Sequence, residues 1–152
     1  MGTQRFLICS DCGRFPAKGQ LFKLLLRQAG GAIEQCPKCQ KVMALGLTFS
    51  FGLNAPFPEC TVRDCFSPRK PQSWTETDGS LVTFYPFLVV LNRHGKDLAA
   101  WLPYWHVVAR ANGPQYKYGQ WAPFMDARLF QDLLQQAQSK GYFSNGLVAG
   151  AP

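Results

Sequence analysis

Two short cysteine motifs decide how the N-terminal third of the chain folds. They are Cys9-Ser10-Asp11-Cys12 and Cys36-Pro37-Lys38-Cys39, and 23 residues separate them. The two residues between each pair of cysteines let both sulfurs turn toward one point, and two such motifs supply the four tetrahedral ligands that zinc prefers. Four thiolates leave no coordination position open for water or substrate. We therefore predict one structural Zn²⁺ ion, with the ligands Cys9, Cys12, Cys36 and Cys39.

The two motifs resemble the metal-binding turns, or knuckles, of the zinc-ribbon family. The resemblance is carried by Cys12-Gly13 and by Cys36-Pro37-x-Cys39, and it covers about the first third of the chain. The stretch between the motifs exceeds the usual window of roughly 15–20 residues, and a longer hairpin absorbs the difference. A redox pair or two disulfides are the alternatives, and two matched pairs argue against both.

The composition points to a partner surface. Aromatic residues make up 14% of the 152 residues, whereas charged residues make up only 16%, against about 25% in a typical domain. A small protein with many large rings and few charges exposes apolar surface, which marks a contact with another molecule. We therefore expect a subunit of a larger assembly with a protein partner.

The net charge favours an acidic partner. It is +7 from the residues alone, and four thiolates holding one zinc ion lower it to about +5. A basic protein attracts nucleic acid, DNA or RNA, although the charge also serves solubility. The sequence shows no signal peptide and no apolar stretch of the ~20 residues that span a membrane. Reduced zinc-binding cysteines fit a cytoplasmic protein without membrane contact.

The pattern of residues predicts mainly strands in the first third. Residues 5–8 form a strand that leads into the first knuckle, residues 13–19 a loop, and residues 42–51 a further strand. Residues 21–27 fit either a strand or a helix, and the absence of a capping residue before them favours a strand. Gly30-Gly31 then makes a hairpin turn.

The remaining residues predict a connector and a small second unit. Four prolines lie between Asn54 and Ser80, so no regular element is expected there. Strands follow at residues 81–91, 98–102 and 104–109. Residues 127–140 form an amphipathic helix, which Asp126 caps and after which Gly141 adopts the left-handed conformation. The apolar stripe of this helix comprises Leu129, Phe130, Leu133, Leu134 and Ala137.

Together these patterns predict an α+β protein. Residues 1–53 form a zinc ribbon with four cysteine ligands, residues 54–80 a proline-rich connector, and residues 81–152 a small antiparallel sheet with one C-terminal helix.

No set of residues predicts catalysis. A second zinc site would need suitable distances among Cys60, Cys65, His94 and His106. Free cysteines more commonly behave as small buried apolar residues. An HNH-type nuclease site needs a helix soon after its histidine, and none follows the turn that holds Asn92 and His94. The acidic residues are scattered, and no phosphate-binding glycine loop is present. We expect no enzyme activity and no small-molecule substrate.

Two sets of residues are candidates for binding. The first set is basic, and it comprises Arg14, Lys18, Lys23, Arg27, Lys38 and Lys41. These residues either contact the phosphates of a nucleic acid or form a solvated face that balances the charge of the anionic metal centre. A second set lies among the aromatic residues of the C-terminal half. It lines a nucleic-acid groove, contacts a protein partner or fills the core under the helix. Its candidate partner-binding residues are Trp101, Trp105, Arg110 and Trp121. The sequence thus predicts a non-catalytic zinc-binding subunit of a nucleic-acid-handling assembly. The alternatives are a zinc-stabilised protein-protein adaptor and, third, a metal-dependent nuclease-like enzyme.

Overall fold

The computed structural model of the protein describes residues 2–50, 59–93, 97–119 and 125–143. Within these ranges antiparallel sheets and two helices make an α+β fold, as predicted. In chain order the elements are β1 Gly2–Cys9, β2 Gly13–Pro16, α1 Leu21–Ala29, β3 Glu34–Gln35, β4 Val42–Ser50, β5 Cys60–Phe66, β6 Gln72–Thr75, β7 Leu81–Pro86, β8 Leu88–Arg93, β9 Asp97–Trp101, β10 Tyr104–Val108, β11 Gln115–Tyr118 and α2 Ala127–Ser139.

The chain forms two compact units, and each is built from two segments. Unit 1 comprises Met1–Cys65 and Val89–Trp101, and unit 2 comprises Phe66–Leu88 and Leu102–Pro152. The boundaries predicted after residues 53 and 80 do not coincide with this division. The difference arises because strands far apart in sequence pair with each other, which a reading along the chain does not reveal.

Unit 1 contains a seven-stranded sheet in the order β2-β1-β4-β5-β8-β9, with β3 also paired to β4. The turn between β1 and β2 holds the first cysteine motif, because Cys9 pairs with Gly13. The turn between β3 and β4 holds the second motif, because Gln35 pairs with Val42. The antiparallel β1–β4 ladder ends at Ile8 and Ala44, so both turns emerge at the same end of the sheet.

Residues 21–29 form helix α1, so the predicted strand at residues 21–27 was wrong. The strand was favoured because no capping residue precedes these positions. The helix indeed lacks a side-chain cap, since the residue before it is Gln20. Good helix formers and the burial of Phe22, Leu24 and Leu25 outweigh the missing cap. Gly30-Gly31 ends the helix in place of a hairpin turn.

The connector predicted to lack regular structure contains β5 and β6. β5 is central in the seven-stranded sheet, between β4 and β8. Pro68 and Pro71 lie between β5 and β6 and therefore interrupt neither of them. The prolines mark the ends of these strands, which is where a residue without a backbone N–H is tolerated.

Unit 2 contains a four-stranded antiparallel sheet in the order β11-β10-β7-β6. The strand predicted at residues 81–91 is two strands, β7 and β8, separated at Phe87 and belonging to different sheets. The strands predicted at residues 98–102 and 104–109 correspond to β9 and β10. Strand β11 was not predicted.

The predicted C-terminal helix and both of its caps are confirmed. The Asp126 carboxylate accepts the backbone N–H of Arg128 at 2.8 Å, and Gly141 follows α2 with a φ of 84°. The apolar stripe was only partly right. Leu133 and Ala137 are fully buried, but the Phe130 side chain is 42% exposed and does not belong to the core.

No helix within the described ranges is long and apolar enough to cross a membrane. The predicted tail at residues 144–152 lies outside the described residues, as does residue 51 of the predicted strand at 42–51.

Candidate metal centre

The four cysteines of the two motifs converge on one point. Their Sγ atoms all lie within 4.8 Å of one another, and the Sγ atoms of Cys9 and Cys39 are 3.4 Å apart. Four sulfurs arranged tetrahedrally at about 2.3 Å from a zinc ion would be roughly 3.8 Å apart, which is within this range. A disulfide requires a separation of about 2.05 Å. The cluster therefore has the dimensions of a site for one metal ion.

The backbone of the knuckles aims both pairs of sulfurs inward. The residue after the second cysteine of each motif has a positive φ, 87° at Gly13 and 64° at Gln40. In the second knuckle the backbone N–H of Gln40 donates to the carbonyl of Cys36 at 2.9 Å. The backbone N–H of Cys36 in turn donates to the carbonyl of Lys41 at 2.8 Å. These bonds close the turn around the metal position.

The thiols differ in how readily they ionise. Burial raises the pKa of Cys36, but the backbone N–H groups of Cys39 and Lys38 outweigh it and bring this pKa down to about 7. The Cys39 side chain and burial raise the pKa of Cys12 to about 12. One negative charge in a small cluster disfavours a second one. A dication among the four sulfurs reverses this preference and favours four thiolates.

The site lies in a small apolar core that shields it from water. Cys9 and Cys36 are 2% and 0% exposed, and they pack with Met43. Leu7 and Phe15 pack against the same group, while Cys12 and Cys39 are half-buried. Two of the four candidate ligands are therefore almost completely removed from solvent.

Carboxylates pair with Arg14, Arg27 and Lys41 among the predicted nucleic-acid-binding residues. The Arg14 guanidinium donates to Glu59 and lies 4.3 Å over the Phe6 ring. Arg27 donates to Glu34 in the same way.

Beside the first knuckle, Lys41 Nζ donates to Asp11 Oδ2 at 2.5 Å. This bond, with one from Ser10, lowers the pKa of Asp11. Lys18, Lys23 and Lys38 are exposed, and Lys38 Nζ lies 5.9 Å from the centroid of Phe15. All six basic residues belong to unit 1, and carboxylates offset the charge of Arg14, Arg27 and Lys41.

The predicted partner-binding residues lie in different places. Trp101 is half-buried in unit 1, with its ring 4.8 Å from that of Phe49. Trp105 is 5% exposed, so its ring fills the core of unit 2. Arg110 lies near Asp78, at 3.6 Å between Nη1 and Oδ2. Trp121 is outside the described residues.

The remaining cysteines do not form a second metal group with other described residues. Cys60 and Cys65 are each 2% exposed, and burial raises the pKa of Cys65. This fits the prediction of small buried apolar residues. His94 lies outside the described residues.

A second group of polar and aromatic side chains lies around Trp74 and His106 in unit 2. Arg110 of this group was predicted to bind a partner and His106 was considered as a zinc ligand, but the group itself was not predicted. Trp74 lies on β6, inside the connector where no regular element was expected. Its pairing across the sheet makes the group recognisable only once the strands are placed.

Neither a scan against protein-family models nor searches of curated proteins and of solved structures gave a match. The likeness to zinc ribbons therefore rests on the two cysteine motifs and on the geometry of their turns.

Proposed function

We propose that this protein is a non-catalytic binding protein whose unit 1 is built on one structural zinc ion. The convergence of four Sγ atoms within 4.8 Å of one another supports this proposal. Cys9, Cys12, Cys36 and Cys39 would hold the ion, and thiolates are ligands that zinc favours. When bound, the ion would cross-link the two knuckles. With four protein ligands it has no open position for a substrate.

A protein is the partner that the surface near the knuckles suits best. Ile33 and Val42 are 65% and 61% exposed, and both lie at the β3–β4 hairpin, where Val42 pairs with Gln35. Two exposed β-branched side chains beside a rigid metal-bound turn offer an apolar contact. The ion pairs of Arg14, Arg27 and Lys41 offset part of the basic charge on the same unit. This favours the adaptor over nucleic-acid handling.

Nucleic acid is the second candidate, and the basic charge favours it. The residues carry a net charge of +7, or about +5 with four thiolates and one zinc ion. Lys38 lies within the second cysteine motif and, like Lys18, is exposed. Exposed ion pairs contribute only about 0–1 kcal/mol, so phosphates can compete for their basic partners. Phosphate contacts would add to the affinity without reading base sequence.

Metal analysis tests the zinc centre. We expect one zinc ion per purified chain, and we expect Cys36→Ser to lose the ion together with the ordered structure of unit 1, because binding and folding are coupled. The control is Cys60→Ala, which removes a thiol outside the cluster and should retain the ion. A protein without zinc, or a Cys36→Ser variant that keeps both zinc and fold, would contradict the proposal.

Two measurements separate the partners. If nucleic acid is bound, affinity for a single-stranded or duplex oligonucleotide must fall steeply as salt rises, and Lys18→Gln with Lys38→Gln must flatten that slope.

If a protein is bound, a partner must co-purify with the wild-type chain from the native host. The double variant Ile33→Ser and Val42→Ser must no longer co-purify with that partner. Leu81→Ser is the matched control, because Leu81 is 48% exposed in unit 2. Retention of the co-purifying protein by the double variant would rule out this surface.

A further inference from the structure

Unit 2 contains a cleft of about 370 Å³ on one face of its four-stranded sheet. We call it the unit 2 cleft, and its floor is formed by Val82 and Val108, which are 5% and 4% exposed. Val82 pairs with Trp74 on one side and with Val108 on the other. Directly paired residues of antiparallel strands point to the same face. Trp74 therefore stands at the edge of this apolar floor.

A second row of side chains runs across the same face. His106 pairs with Phe84 and with Lys117, and the His106 and Trp74 rings lie 5.6 Å apart, edge to face. The Trp74 side chain is 37% exposed and the Phe84 side chain 5% exposed. The cleft thus has an apolar floor and an aromatic side, which is the usual surface for a flat ring.

The acidic groups at the cleft are already engaged by donors of the protein. Glu76 Oε1 accepts the Trp74 indole N–H at 2.7 Å. Asp78 Oδ1 accepts the backbone N–H of Ser80 at 2.9 Å, and its other oxygen lies 3.6 Å from Arg110.

Two cationic side chains at the cleft, Lys117 and Arg110, keep donors for a ligand. Among the residues that the structure describes, Lys117 lines the cleft and has no ion-pair partner. Arg110 uses one nitrogen on Asp78, at a long distance, and keeps its other donors.

His106 adds no positive charge at neutral pH. Burial lowers its pKa, and Lys117 lowers it further, although Glu76 acts in the opposite direction. A neutral imidazole beside an apolar floor accommodates an uncharged ring, whereas the two cationic side chains suit a negative group.

We propose that the unit 2 cleft binds a planar aromatic ring that carries a phosphate or carboxylate group, in the size range of a mononucleotide. The ring lies on Val82 and Val108 beside Trp74 and His106. The anionic group accepts hydrogen bonds from Lys117 and Arg110, which are the stronger, charge-assisted kind. A volume of about 370 Å³ is at the lower end of the roughly 300–1,000 Å³ that small-molecule sites occupy.

Calorimetric titration of the full chain at low salt tests the ligand chemistry. The probes are adenosine monophosphate, indole-3-acetate, adenosine and inorganic phosphate. We expect at least one of the two ring-bearing anions to bind about tenfold or more tightly than adenosine or phosphate alone. Adenosine lacks the anionic group and so loses the charge-assisted hydrogen bonds, whereas phosphate lacks the ring. Whichever anion binds identifies the nucleotide or the aromatic acid as the source.

Two matched variants locate the binding in the cleft. Lys117 is exposed, so Lys117→Gln leaves the core intact and should weaken the better anion about tenfold. Lys70→Gln removes an exposed lysine elsewhere in unit 2 and should leave the affinity unchanged. The indole N–H signal of Trp74, assigned with Trp74→Phe, should shift on titration in the wild-type protein.

Three results would overturn the proposal. They are the absence of binding by both anions at millimolar concentration, binding of neither anion more tightly than adenosine or phosphate, and equal effects of the two lysine variants.

Discussion

At the scale of single residues, one glycine makes room for an aromatic ring on the seven-stranded sheet. Gly46 pairs with Phe6 across β1 and β4. A Cβ atom placed on Gly46 would overlap the Phe6 ring at Cε2, much closer than any real contact. The guanidinium of Arg14 lies over the Phe6 ring, with Cζ 4.3 Å from its centroid. The ring thus contacts both the backbone at Gly46 and a cation.

We therefore predict that Gly46→Ala destabilises the protein by about 1–3 kcal/mol, the usual effect of overpacking. The ring must move away or the two strands must separate. Urea unfolding measures the change. Gly30→Ala is the control, since the nearest atom to its added Cβ is 3.4 Å away, and it should stay near the wild-type stability. Equal stability of the two variants would show that Phe6 rearranges freely.

At the scale of elements, the helix ends explain what was predicted well and what was not. Both helices end with the same pair of hydrogen bonds, and in α1 these run from Gly31 to Gln28 and from Ala32 to Arg27. Gly31 has a φ of 84°, which is the Schellman motif that glycine favours. A Gly-Gly pair suits this motif and a hairpin turn equally well. At α2 the capping residue Asp126 identifies the segment before the glycine as a helix. Helix α1 has no capping residue, so its glycines could be read as a hairpin turn.

The N-cap of α2 leads to a second prediction. Asp126→Ala should destabilise unit 2 by about 1 kcal/mol, because the backbone N–H of Arg128 loses its acceptor, whereas Asp126→Asn should retain most of the stability. Bonds from the side chain and backbone of Arg128 lower the pKa of Asp126. The carboxylate therefore stabilises the fold above the unfolded-state pKa of an aspartate, and this stabilisation is lost as the pH falls through the lower folded-state value.

Denaturant titrations of both variants at neutral pH and at low pH measure this effect. If alanine and asparagine behave alike at neutral pH, the cap does not contribute to stability.

At the scale of the whole molecule, the four-cysteine cluster lies in only one of the two units. All four cysteines of the cluster belong to unit 1. The chain passes between the units more than once, so neither unit is a continuous segment. A fragment of residues 81–152 lacks β6, which pairs with β7, and retains β8 and β9, which belong to the other sheet. That fragment therefore does not contain the complete four-stranded sheet of unit 2.

We predict that removal of the proposed zinc ion by a chelator affects the two units unequally. Amide hydrogen exchange should accelerate in β1, β2 and β4, which carry or adjoin the knuckles, because the ion no longer holds the turns together. The strands of the four-stranded sheet should lose much less protection. Exchange followed by mass spectrometry on the full chain measures both. Equal loss of protection in the two sheets would show that they unfold as one cooperative unit.

The sequence by itself determined the local features of this protein. The spacing of the four cysteines predicted one cluster, and the aspartate, apolar stripe and glycine of residues 126–141 predicted a capped helix. In each case the physical cause lies within a few residues: two-residue turns between ligands, a side chain next to the first free N–H, a glycine where φ is positive.

Only the tertiary structure decided how the distant segments combine. Whether residues 21–29 form a helix depended on the burial of Phe22, Leu24 and Leu25, and whether residues 60–66 form a strand depended on β4 and β8 as neighbours. The ion pairs of Arg14 with Glu59 and of Lys41 with Asp11 join residues far apart in the chain, as do the strands around the unit 2 cleft. Strand pairing and burial depend on partners that no local pattern identifies, and for that reason they became visible only in the folded molecule.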